Sequence, residues 1–310
     1  MKQHLCSWIF LLAAFPLAAF AQEKPTLTAD DYDQWERLGS FELSPNGVWI
    51  VSTITRVDGD RRLELRDVAG TRDPLVLDHA RSPSFSGDSQ WLMYRQGAST
   101  AVQEKRDEPA PDSLGMVNLS TLADTVLMAI SRASFRDDGK WLAVLGPPPS
   151  DSLAGDLLVL RPGDNLVTTL GSADSYSWQD EGELLAYSIK SSTAAGNGVS
   201  LFHPDESRIV PLTSGMVSFG TPTWKEEDKV LAVFRSVERD SMDGEAKDVL
   251  YWKDPWALPQ DLAVLSSTDR TEFGDSLGVS EHGGIEFTPD GSTVFVGLRP
   301  WTRVDVEADT

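Results

Sequence analysis

The sequence predicts an all-β chain, and three observations carry that prediction. First, a turn-centred pattern occurs six times. An apolar residue leads into a short polar turn, five times with Gly at its end or second place, and a run of large apolar and β-branched residues leads out. Leu43-Ser44-Pro45-Asn46-Gly47-Val48-Trp49-Ile50-Val51 is the clearest copy. Pro presets φ, Gly accepts positive φ, and the flanks favour strands. Second, the leading apolar residues fall at Leu43, Phe85, Phe135, Trp178, Trp224 and Phe287, spaced by 42, 50, 43, 46 and 63 residues. Third, shorter alternating segments fill the intervals, enough for about four strands per repeat. A period near 40–50 residues with several short strands per unit is the signature of a β-propeller. One four-stranded blade cannot cover its own apolar faces, so neighbours must stack around a shared axis.

Taken in order, residues 1–21 read as a secretory signal peptide. Lys2 supplies the basic start, Trp8–Phe15 the apolar core, and Ala19-Phe20-Ala21 a small-x-small cleavage site. The apolar run is short for a membrane span. Cleavage after Ala21 implies a periplasmic or secreted chain with no membrane contact afterwards. Cys6 is the single cysteine and leaves with the signal, so the exported chain has no disulfide and no thiolate chemistry. Residues 22–39 read as a lead and one short helix: Thr28 as N-cap, acids in the first turn, Gly39 as stop. Tyr32, Trp35 and Leu38 share one face of that helix and are expected to pack on the first blade.

The propeller is expected over 40–310. Blade one takes strands near 40–44, 48–55, 63–68 and 74–77. Blade two has its third and fourth strands at Leu114–Leu119 and Thr125–Met128, after a polar insert, Gln96–Ser113, that reads as an exposed mobile loop. Blade three continues with 156–160 and 166–168, blade four with 199–202 and 209–212. Blade five carries an acidic insert, Glu238–Asp248, before strands at 249–252 and 262–265. A loop over Ser266–Gly283 precedes the sixth hairpin, which has one clear strand at Thr293–Leu298 and a weak one near Thr302–Val306. About five and a half blades are therefore expected, the sixth truncated. An open end exposes an apolar face and a strand edge, so the chain reads as a fragment of a longer protein in preference to a six-bladed ring completed by its amino-terminal segment.

Composition bounds function. The 310 residues are 40% hydrophobic, enough for one large core, and carry 27 Lys+Arg against 48 Asp+Glu, a net charge of −21. That charge repels phosphate backbones and anionic lipid heads, which argues against nucleic-acid partners. His79, His203 and His282 have no metal-ligand spacing. Asp58-Gly59-Asp60 could open a calcium loop, but Arg61 and Arg62 occupy the next positions, so a β-turn is the reading. Trp49, Trp91, Trp141, Trp178 and Trp224 recur at repeat positions and read as inter-blade core. Asn118-Leu119-Ser120 matches a glycosylation sequon inside an expected strand. No cofactor is expected, and no catalytic, cofactor-binding or metal-ligating residue is assigned.

Some of these segments resemble one family. Leu27-Thr28-Ala29-Asp30-Asp31-Tyr32 with Trp35-Glu36, the following Leu43–Trp49 hairpin, Val57-Asp58-Gly59-Asp60, and Asp248-Val249-Leu250-Tyr251-Trp252-Lys253-Asp254 with Leu258-Pro259-Gln260 are similar to large secreted bacterial peptidases of the prolyl oligopeptidase family. The hairpin repeat itself is shared with TolB-type propellers. The resemblance implies an amino-terminal propeller that covers a carboxy-terminal α/β-hydrolase domain with a Ser-Asp-His triad. The hydrolase domain and peptide substrates are the partners it implies. No Gly-x-Ser-x-Gly elbow occurs in this sequence; Gly278-Val279-Ser280-Glu281-His282-Gly283 has His at the second Gly and is expected in a loop, so Ser280 takes no catalytic role. The expectation is a non-catalytic lid and substrate selector for a hydrolase domain absent from this chain. The alternative is a self-contained six-bladed exported binding module.

Overall fold

A computed structural model describes residues 27–28, 31–32, 35–150, 152–164, 166–226, 228–237, 246–266 and 276–302. The signal segment, Cys6 and the weak strand near 302–306 lie outside this set, apart from Thr302.

The fold is a β-propeller of antiparallel blades. Blade one is the meander β1 (Glu36–Leu43), β2 (Trp49–Arg56), β3 (Arg61–Asp67) and β4 (Leu75–Asp78). Blade two is β5 (Ala80–Phe85), β6 (Trp91–Gln96), β7 (Ser113–Asn118) and β8 (Asp124–Ala129), with a one-turn helix α1 (Thr100–Gln103) in its insert. Blades three and four form one seven-stranded sheet: β9 (Arg132–Phe135), β10 (Leu142–Leu145), β11 (Gly155–Leu160), β12 (Val167–Trp178), β13 (Leu185–Ile189), β14 (Gly198–His203) and β15 (Arg208–Ser214). They share β12, where Ala173 pairs with Gly155 on one side and Ile189 on the other. Blade five is β16 (Thr223–Trp224), β17 (Leu231–Val237), β18 (Ala246–Trp252) and β19 (Leu262–Leu265). The sixth unit shows two strands, β20 (Leu277–Phe287) and β21 (Val294–Pro300).

The period-2 alternation of strands explains the stacking. In β10, Leu142 and Val144 join the apolar cluster shared with blade two, while Trp141, Ala143 and Leu145 join the one shared with blade four. In β17, Leu231 and Val233 face blade four, and Ala232 and Phe234 face blade six. Each fully buried Leu or Val contributes about 1.5–3 kcal/mol. Five such clusters link blades one to six in succession. Among the described residues no buried cluster joins the sixth unit back to the first. The outward face of blade one keeps Leu38, Phe41 and Leu43 at 64%, 69% and 52% exposure.

The recurring turns stack on one another at one end of the blades. Ser44 Oγ donates to Asn46 Oδ1 and accepts from the Trp49 N–H. Ser86 with Asp88 and Trp91, and Thr288 with Asp290 and Thr293, repeat that arrangement. The Asn46 N–H donates to Ser89 Oγ at 3.1 Å, the Glu181 N–H to Asp137 Oδ2 at 2.6 Å, and Gln179 Nε2 to the Asp228 carbonyl at 3.3 Å. The first strands of adjacent blades lie side by side: Trp178 Nε1 donates to the Ser134 carbonyl at 3.0 Å and Trp224 Nε1 to the Ser177 carbonyl at 3.1 Å.

Four expectations are corrected. Among the described residues, the helix expected through Gly39 shows 3₁₀ geometry at Asp31–Tyr32, and the chain is already in β1 at Glu36. Glu36 and Leu38 pair with Arg56 and Ile54, and the Glu36 carboxylate meets Arg56 and Arg62. Ladder bonds and ion pairing override local helical preference. Tyr32 and Trp35 stack on each other, with centroids 4.7 Å apart, and stay half exposed, as does Leu38, instead of packing into blade one. The Gln96–Ser113 insert is not a free loop, because Thr100 and Asp112 tie it to both flanking blades. Gly278–Gly283 belongs to β20, not to a loop; Gly278–Ser280 pair with Arg299–Gly297, and a bulge follows before Ile285.

A Cβ on Gly87 would sit 1.8 Å from the Asp137 carbonyl oxygen of the next turn, a backbone atom that cannot rotate away. Gly87→Ala is therefore expected to lower stability by about 1–3 kcal/mol, seen as a reduced urea midpoint with an unchanged slope.

Candidate functional site

Antiparallel meanders reverse direction at every strand, so their turns alternate between two ends of the ring. The six stacked hairpin turns lie at one end. The connections between second and third strands and between blades lie at the other: Val57–Asp60, Gly97–Asp112, Gly146–Ala154 and Lys190–Asn197, with the short crossings at His79 and at Ile130–Ser131. Function on a repeat scaffold gathers where loops are free to vary. At that end, between blades one and two, lies a cavity of about 450 Å³ lined by Gly59, Asp60, Arg61, His79, Arg81, Gly97, Ala98, Thr100, Gln103, Pro109, Ala110 and Asp112.

Each polar lining group is placed by local chemistry. Asp58-Gly59-Asp60 is the expected turn: Gly59 takes φ 89°, and Asp58 Oδ1 accepts from the Asp60 N–H at 2.9 Å. Asp60 then turns its carboxylate to the insert, accepting from the Thr100 N–H at 2.8 Å and from the Thr100 hydroxyl. Those two donors hold its carboxyl below the usual carboxylate range. The acceptor that caps α1 thus comes from the neighbouring blade, since Ser99 makes no side-chain cap. His79 bridges β4 and β5 in a left-handed conformation, φ 55°, and its carbonyl accepts from the Gly97 N–H at 3.0 Å. Its Nδ1 lies 3.9 Å from Asp60 Oδ1. Asp112, 8% exposed, receives Arg81 Nη2 on both oxygens at 2.7 and 2.6 Å and Arg95 Nη1 at 3.4 Å. Arg61 is exposed and has no hydrogen-bond or ion-pair partner among the described residues. Gln103, which accepts from the Ala110 N–H at 3.2 Å, and small Gly, Ala and Pro residues make up the remaining wall.

A second charged cluster belongs to the opposite end. Arg136, 3% exposed, donates to Asp138 and to Asp205 at 2.7–2.9 Å, and Trp141 Nε1 donates to Asp205 at 3.0 Å. The Arg161 guanidinium lies over the Trp141 ring at 4.8 Å and also reaches Asp205. Partial burial pushes the Asp205 carboxyl up, but the bonds from Arg136 and Trp141 outweigh it and leave it below the usual range. Asp138 follows the same balance. This cluster joins blades three and four.

The residues weighed from sequence fall apart spatially. Ser280 is buried in β20 opposite Gly297, and its hydroxyl accepts from the His282 N–H at 3.3 Å. This is strand, without the strand-to-helix turn of a nucleophile elbow. His203 lies at the far end of β14, with Nε2 3.2 Å from Glu183 and its ring 5.5 Å from Trp256. Of the three histidines only His79 lines the cavity, where sequence reasoning placed a turn or surface residue. No group of three His, Cys, Asp or Glu suited to a metal ion occurs among the described residues. Trp49, Trp141 and Trp224 are buried, and Trp91 and Trp178 pack half-buried against the inter-blade clusters, as their repetition predicts. Asn118 Oδ1 accepts from Ser120 and from the Thr121 N–H, so the sequon asparagine closes a turn. Arg61, Arg81, Thr100 and Asp112 escaped sequence reasoning. The one available signal was a pair of arginines directly after the Asp-Gly-Asp turn.

No protein-family model matches the sequence, and no curated protein matches it. Among solved structures, the chain is similar to the β-propeller domain of the Trilobed protease from Pyrococcus furiosus, with 10% identity, TM-score 0.45, and coverage of 86% of this chain and 79% of that one. It is similar also to acylaminoacyl peptidase from Pyrococcus horikoshii, with 11% identity, TM-score 0.43, 86% of this chain and 43% of that one. TolB from Acinetobacter baumannii gives 13% identity, TM-score 0.37, 74% of this chain and 55% of that one. The chain spans less than half of the acylaminoacyl peptidase.

The depressed carboxyls of Asp138 and Asp205 stabilise the fold while ionised. Their contribution is complete above the unfolded carboxylate value of about 4 and is lost as pH falls below it. Asp205→Asn is expected to cost about 1.5 kcal/mol at pH 7, since a charged partner of Arg136 is lost while Asp138 remains. The gap from the parent chain should hold from pH 7 to about 4 and narrow as pH falls below about 4, in urea titrations at each pH.

Proposed function

We propose that this chain is the propeller of an exported serine peptidase of the prolyl oligopeptidase family, acting as lid and peptide selector for a hydrolase domain outside these 310 residues. The observation that carries the reading is the division of the ring into two ends. One end carries six hairpin turns that bond to one another, and the other folds the Gly97–Asp112 insert around a polar cavity. A lid needs that division: a rigid rim to keep the blades in order, and an adaptable rim where peptides are admitted or refused. The segments quoted from the amino-terminal hairpin and from 248–260 support the family. The signal-like residues 1–21 support export with cleavage after Ala21, to the periplasm or the medium. The chemistry of bond cleavage belongs to the partner domain, because this sequence has no Gly-x-Ser-x-Gly elbow.

Two measurements test the proposal. Reading the gene past Thr310 should reveal a continuing frame with a Gly-x-Ser-x-Gly elbow; a stop codon there would favour the self-contained binding module instead. The purified chain should leave chromogenic prolyl- and alanyl-peptides intact over hours, and turnover that survives rigorous purification would overturn the assignment of cleavage to another domain.

A further inference from the structure

The cavity between blades one and two has a charge balance unlike that of the whole chain, whose acids outnumber bases by 48 to 27. The lining sets two guanidiniums, Arg61 and Arg81, against two carboxylates, Asp60 and Asp112, so it is neutral with His79 set aside; Arg95 reaches Asp112 from outside the lining. Both carboxylates are already occupied. Asp60 receives the Thr100 N–H and hydroxyl, and Asp112 receives Arg81 and Arg95. Two sets of donors remain uncommitted. Arg81 engages Asp112 through Nη2 alone, so its Nε and Nη1 are free of that pair. Arg61 has no partner among the described residues, whereas Arg56, Arg62 and Arg66 on the same blade each hold a carboxylate. A volume of about 450 Å³ suits a ligand of a few residues.

We propose that this cavity binds a free carboxylate, the carboxy-terminal end of a short peptide, with Arg61 and Arg81 as its ligands. A planar guanidinium matches a carboxylate bidentately. A neutral lining with uncommitted guanidinium donors takes up one added negative charge more readily than a phosphate of charge near −2. The tie between Asp60 and Thr100 keeps the insert closed over the site, so the peptide enters from the open side of the ring end, past Gly59 and Gly97. The peptide identity rests on the lid-and-selector reading above; the carboxylate chemistry rests on the cavity alone.

The test uses the full chain and calorimetric or NMR titration with N-acetyl-Ala-Ala as the free acid, its carboxamide, and inorganic phosphate. The acid should bind at least tenfold more tightly than the amide and more tightly than phosphate, and Arg61→Gln should weaken the acid about tenfold. Arg72→Gln, which removes a guanidinium stacked 5.8 Å from the Trp49 ring, should leave acid binding unchanged. Equal binding of acid and amide, no acid binding, preference for phosphate, or indifference to Arg61→Gln would each overturn the proposal. Arg61 is exposed and unpartnered, so its substitution should leave the urea midpoint in place, which separates lost binding from lost folding. These readouts do not depend on whether any peptide is cleaved, so this inference and the proposed function fail separately.

Discussion

The structure depends on the two-sidedness of its inner strands. An interior blade here is apolar on both faces, because alternate residues of β7, β10, β13 and β17 enter different inter-blade clusters. Such a blade has no solvent-compatible face and exists only between two neighbours. The stacked turns add register to this adhesion: a Cβ at Gly87 or at Gly139 would strike the facing turn, so the blades meet at one height. Tryptophan bonds between first strands then set their lateral spacing. Adhesion, height and spacing come from separate residues, which lets the opposite end vary without loss of the ring.

What was legible in the sequence was what is local. Ser44-Pro45-Asn46-Gly47 specifies its own turn through contacts within five residues, and its five relatives reveal the repeat by spacing alone. The segment from Thr28 to Gly39 misled, because acids at a helix start look the same whether they meet a helix dipole or, like Glu36, a cross-strand arginine. The cavity was illegible for a related reason. Arg61, Arg81, Thr100 and Asp112 are spread over 52 residues in a polar background, and only the crossing at His79 and the folding-back of the insert bring them together. Sequence spacing marks repeats well and marks sites poorly when the site lies between two repeats.

The site and the scaffold divide the polar groups between them. At the turn end, charge is consumed in structure: Arg136, Asp138, Asp205 and Trp141 satisfy one another, and Asp290 is held at a pKa of about 2 by Thr288 and Ser292. At the other end, Arg61 and part of the Arg81 guanidinium stay uncommitted.

The shared strand β12 has a mechanical consequence. The double pairing of Ala173 carries the ladder from blade three into blade four, with a bulge on each side of it, one holding Gly171 at φ 83°. Every other seam in the ring relies on side-chain contact and a loop. Shear or breathing of the ring must therefore concentrate at those other seams, with the third and fourth blades moving as one stiff wedge. The cavity sits at one of the compliant seams, between blades one and two, so its width is free to respond to whatever occupies it.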